Sequence, residues 1–134
     1  MKTEIVSPPK LGRPIGYSHG IRAGGLLFIA GQIGAIPRAE GGHDVVSPEL
    51  APQFEKALEN VMEVVRAAGG TPENVVEMVL YVKSVADYRA SRKTLREAWK
   101  RVMGTHYPAM TLVEITGLFE EKALVEIRAI AAVG

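Results

Sequence analysis

Glu126 is the residue of this chain best placed to do acid–base chemistry. It interrupts the apolar, alternating run Ala123-Leu124-Val125-Glu126-Ile127-Arg128-Ala129-Ile130-Ala131. On a strand with a side-chain period of two, Leu124, Glu126, Arg128 and Ile130 share one face, which sets the carboxylate beside apolar neighbours. Partial desolvation raises a carboxylate's pKa and suits it to take and return a proton near neutral pH. The structural alternative is an ion pair with Arg128, two residues on.

Other polar groups are sparser. Tyr17 can stack on a planar ligand or donate a hydrogen bond, or it can simply pack at an edge. His19 lies two residues further along the same face, either as a titrating partner or as a surface donor. The remaining histidines, His43 and His106, form no metal-ligand spacing with it, so no metal site is expected. Gly24-Gly25, Gly41-Gly42 and Gly69-Gly70 are turn signals, since no phosphate-loop pattern surrounds them. A nucleophile elbow of the GxSxG type is also absent.

The elements that must position these groups follow from the apolar pattern. Ser18 to Arg22 and Leu26 to Gln32 read as strands joined at Gly24-Gly25. Residues 34–47, with Pro37 and Gly41-Gly42, read as an exposed loop. Ser47 is expected to cap a helix with Pro48 at its first position. Phe54, Leu58, Val61, Val65 and Ala68 form that helix's buried stripe, and Gly69-Gly70 ends it. Val75 to Lys83 reads as a central strand, apolar on both faces. Asp87 opens a second helix with Tyr88, Leu95, Trp99 and Val102 inward, ended by Gly104. Arg92 falls on that inward stripe, so it either snorkels at the edge or points at something polar. Two closing strands run from Tyr107 to Ile115 and from Ala123 to Ala131.

The expected fold is α+β: one mixed sheet with two helices packed on one face. Val75, Val79 and Tyr81 suggest that the other face is apolar too, which implies a partner subunit. The 134 residues are read as one domain, 1–134, with 1–16 as an extended N-terminal arm. A net charge of +1 makes neither nucleic acid nor an anionic membrane an expected partner. Without cysteine there are no disulfides, and without a signal-type or membrane-length apolar run the cytoplasm is the expected location.

Taken in order, Gly16-Tyr17, Phe28-Ile29-Ala30-Gly31-Gln32-Ile33, Ala57-Leu58-Glu59-Asn60-Val61, Tyr81-Val82-Lys83, Tyr107-Pro108-Ala109, Val125-Glu126-Ile127 and Ala129-Ile130-Ala131 resemble the RidA (YjgF) family of enamine/imine deaminases. The match spans about Gly16 to Ala132. The resemblance implies a chorismate-mutase-like fold assembled as a homotrimeric barrel with inter-subunit clefts. It also implies hydrolysis of reactive enamines and imines, small-molecule substrates, to keto compounds and ammonia without a cofactor. By the same resemblance Glu126 is the catalytic acid that holds water, while Tyr17, Gly31 and Ala109 line the cleft. Met110 stands where the deaminating branch has a carboxylate-binding arginine, Ala30 replaces a serine, and Leu112 a cysteine. Arg92 replaces an asparagine of the second helix, from which it can supply the missing cation. The implied activity therefore shifts away from small 2-imino acids. The alternative is a trimer that binds a metabolite in the same clefts without turnover. RNA cleavage, also attached to this family, would call for a basic stripe or paired histidines, and neither is present.

Overall fold

The computed structural model describes residues 1–134. Eight strands and three helices follow one another: β1 (Thr3–Val6), β2 (Gly20–Ala23), β3 (Leu26–Ile33), β4 (Ala35–Pro37), β5 (His43–Val45), α1 (Leu50–Ala67), β6 (Val75–Val82), α2 (Val85–Ala90), α3 (Arg92–Met103), β7 (Ala109–Glu114) and β8 (Val125–Ala132). Six strands make the main sheet in the order β1-β2-β3-β8-β6-β7, and β4 and β5 form a small separate hairpin. All main-sheet pairs are antiparallel except β6 with β7. The two closing strands are therefore not neighbours, because β6 lies between them.

Alternation decides which face of the sheet is covered. Leu27, Ile29, Met78, Leu80, Val82, Ile127, Ala129 and Ala131 point to the helices and are buried with the α1 stripe of Phe54, Leu58, Val61 and Val65. Burial of this kind stabilises by about 25 cal/mol per Å² of apolar surface. The opposite face carries Ile5, Phe28, Val79, Tyr81, Val113 and Ile130, and no helix covers it. Val75 belongs to the covered face and is fully buried, contrary to its expected place on the open one. No helix is long and apolar enough to cross a membrane.

Three local expectations change. The segment 34–47 is not all loop: Ala35 pairs with Val45 and Pro37 with His43. Ser47 does not cap α1, since its Oγ accepts from the Glu49 amide at 3.1 Å and the helix begins only at Leu50. The second helix is broken at Ser91. Ser84 caps α2 by accepting from Asp87 N at 3.1 Å, and α3 restarts at Arg92. The segment 1–16, read as an extended arm, contributes the edge strand β1 and a short 3-10 turn at Pro9–Leu11.

Candidate functional site

Glu126 faces the open side of the sheet, opposite Tyr81 on β6 and Ile33 on β3. It lines a cleft of about 300 Å³ with Gly31, Tyr81, Arg128 and the loop residues Ile115, Gly117 and Leu118. Its carboxylate makes no ion pair, because Arg128 turns instead to Glu77 at 3.7 Å. Partial burial pushes the Glu126 carboxyl above the usual carboxylate range. An unpaired carboxylate with a raised pKa can act as a proton acceptor and then a donor.

Gly31 is what leaves room for that carboxylate. A β-carbon there would overlap Glu126 Oε1 and lie 2.8 Å from its Cδ. The register of β3 against β8 slips between Ile29 and Gln32, so Ala30 and Gly31 together oppose Arg128. Such a β-bulge bends the strand and re-aims its side chains. Here it presents Gly31 to Glu126 while Gln32 turns into the core, 7% exposed.

Tyr17 does not join this cleft within one chain. It is 48% exposed and packs edge-on against His19, ring centroids 5.4 Å apart. His19 is neither a surface donor nor a group poised to titrate near neutrality. It is buried, its Nε2 donates to Gly12 O at 3.1 Å, and Nδ1 faces the Gln32 amide at 3.5 Å. Burial lowers its pKa. Its role is to pin the turn before β2 to the bulged strand.

Met110 and Arg92 come together, but elsewhere. In the β6–β7 ladder Met110 stands beside the buried Met78, on the helix side of the sheet. Ala109, its neighbour, points to the open face opposite Glu77 and lines neither cleft. Met110 borders a cavity of about 190 Å³ formed with Phe54 of α1, Tyr88 of α2 and residues of α3. Arg92 reaches it from the start of α3, at its exposed rim rather than on a buried stripe. One chain thus separates the expected residues: Glu126 and Gly31 on one face, Met110 and Arg92 on the other, Tyr17 apart from both.

The chain matches the family model described as Endoribonuclease L-PSP over residues 11–133. It belongs to that family. A RutC family protein of Pyrococcus horikoshii is 33% identical over 129 residues, covering 96% of each chain. A 2-iminobutanoate/2-iminopropanoate deaminase of Homo sapiens is 28% identical, covering 97% of this chain and 90% of its own. The crystal structure of the YjgF gene product of Escherichia coli superposes with a TM-score of 0.82 at 28% identity, covering 96% of this chain and 98% of that one.

Two residues that hold this family fold around the cleft were not singled out as site residues from the sequence. Gln53 is fully buried on α1, donating to Ser47 O at 2.8 Å and Lys122 O at 3.1 Å, and its Oε1 accepts from Leu124 N at 2.8 Å. It therefore fixes the entry into β8 two residues before Glu126. Asn60 donates to Ile33 O at 3.0 Å and Ala35 O at 2.9 Å, fixing the end of the bulged strand. The available signal was their spacing: seven residues apart, two turns along the inward face of an apolar helix, where an unpaired amide would be costly.

Proposed function

We propose that the protein hydrolyses reactive enamines and imines to keto compounds and ammonia, in clefts completed between copies of the chain. The observation that carries this reading is Glu126: a half-buried carboxylate with no ion-pair partner, given its room by a bulge glycine. The matching relative named 2-iminobutanoate/2-iminopropanoate deaminase supports the same chemistry.

An enamine first becomes an imine by gaining a proton on carbon and losing one from nitrogen. Glu126 then accepts a proton from water as its oxygen bonds to the C=N carbon, and delivers that proton to nitrogen to give a carbinolamine. It next takes the hydroxyl proton and passes it to the amine as the carbonyl forms and the carbon–nitrogen bond breaks. The sum is imine plus water giving carbonyl compound plus ammonia, with Glu126 regenerated. The open sheet face, where Ile5, Phe28 and Val113 are exposed, supports assembly, since exposed apolar patches mark interaction surfaces. A homotrimer would cover that face and bring Tyr17 and the Met110 side of one copy to the Glu126 side of another.

The test generates imines in place with an amino-acid oxidase and times keto-acid and ammonia release. Wild type is expected to accelerate release, and Glu126→Gln to lose about 10²-fold or more of that acceleration. Equal rates from the two proteins would overturn the assignment. Met110, which offers dispersion where an arginine would offer a salt bridge, favours a second reading: a binding protein without turnover. Saturable ligand binding with no acceleration of any imine is the result that selects it.

A further inference from the structure

The cavity on the helix side of the sheet has a composition of its own. Its floor is apolar and mostly buried: Phe54 and Leu95, with Trp99 only 4% exposed. Tyr107 stacks on Trp99 with centroids 5.7 Å apart and planes within 1°. Trp99 Nε1 donates to His106 O at 3.0 Å, so its ring is fixed before anything binds. Met110, 46% exposed, gives one wall a polarizable thioether suited to an aromatic edge.

Two cations stand at the mouth. Arg92 and Arg96, one helical turn apart on α3, both border the cavity, and neither makes a hydrogen bond or an ion pair. Arg101, further along the same helix, shows the contrast: it is held bidentately by Glu55. Free guanidiniums over an apolar pocket match a ligand with an anionic head and an apolar body. A guanidinium fork is the best side-chain partner for a carboxylate. The size also fits, since an apolar cavity of about 150 Å³ accommodates a benzene ring and this one offers about 190 Å³. A methyl or ethyl side chain would leave most of it empty.

We infer that this cavity is a specificity pocket for acids bearing an aromatic or similarly large apolar group, with the ring on the Trp99 and Met110 walls and the carboxylate on Arg92 and Arg96. The inference rests on the deaminase reading for its substrate class, which becomes aromatic 2-imino acids. It does not rest on that reading for the binding itself.

Trp99 is the only tryptophan in the chain, so its fluorescence reports occupancy directly. Titration with 3-phenylpropionate is expected to change that emission saturably, while propionate at the same concentrations leaves it unchanged. Arg92→Gln combined with Arg96→Gln, both at exposed positions, is expected to weaken 3-phenylpropionate binding by about tenfold or more. In turnover assays the same pair lowers kcat/KM for a phenyl-bearing 2-imino acid, in step with the weakened Trp99 response. Equal responses to the two acids, or unchanged binding by the double variant, would overturn the inference. Glu126-dependent hydrolysis with no Trp99 response would overturn it while sparing the deaminase reading. A saturable Trp99 response with no hydrolysis of any imine would do the reverse.

Discussion

The two clefts of this chain differ in what each contains and in which side of the sheet builds it. The Glu126 cleft has a carboxylate with no ion-pair partner, a bulge glycine and a loop, all on the uncovered face. The Trp99 cavity has fixed aromatic walls, a thioether and two unpaired guanidiniums, all on the helix side. One is equipped to move protons and the other to recognise an acid. Register keeps them apart, since Glu126 stands opposite Tyr81 while Met110 stands beside Met78, one residue type facing out and the other in. A ligand bound by both would, in the proposed assembly, take its two halves from different copies.

The comparison is broken most sharply at Gly31. Gly31→Ala puts a methyl group against the Glu126 carboxylate, and displacing a catalytic group by about 1 Å can cost about 10²-fold in rate. The expected outcome is that imine hydrolysis falls by this order while 3-phenylpropionate still alters Trp99 fluorescence. Steady-state kinetics beside the titration checks it, and loss of both signals together would mean the two regions are not separate.

A smaller effect is expected at Gln53, which serves the Glu126 side only. Gln53→Ala strands the Leu124 amide and the Lys122 carbonyl, and an unsatisfied buried group costs about 1–3 kcal/mol. Denaturant unfolding should show that loss, with activity reduced because the entry into β8 is loosened.

The smallest effect is one of sign. The pKa of Glu126 is raised in the folded protein, so its ionisation disfavours folding as pH rises through that value. Glu126→Gln is therefore expected to be more stable than wild type at neutral pH, and the advantage should shrink as the pH is lowered into the usual carboxylate range. His19 works in the opposite sense. Its lowered pKa keeps its contribution intact above the ordinary imidazole range and removes it as pH falls through that range toward the folded value. Paired melting curves of the two proteins across this range cancel the His19 contribution and isolate that of Glu126.

Much of this was legible in the residues. The alternation around Glu126, the α1 stripe and the Gly24-Gly25 hairpin each follow from a period of two or 3.6 or from local turn chemistry, and all three stand in the structure. What was not legible depends on partners distant in sequence. The bulge at Ala30-Gly31 is a property of β3 against β8, and the division of the clefts follows from β7 joining β6 rather than β8. The break at Ser91 puts Arg92 at a helix start rather than within one continuous inward stripe, and the apolar pattern does not reveal it. Gln53 and Asn60 look polar in a list of residues, and only their carbonyl and amide partners show why they are buried.

The account's central claim, that catalysis and recognition come from different copies, is tested most directly by complementation. One chain carries Glu126→Gln. The other carries Met110→Asp, which sets a charged carboxylate into the apolar wall that the substrate's ring would fill. Each alone should form inactive assemblies. Co-expressed and purified as mixed oligomers, they should recover about a quarter of wild-type imine hydrolysis, because random mixing in a cyclic assembly leaves that share of clefts with both halves intact. Mixed oligomers no more active than either parent would contradict the claim.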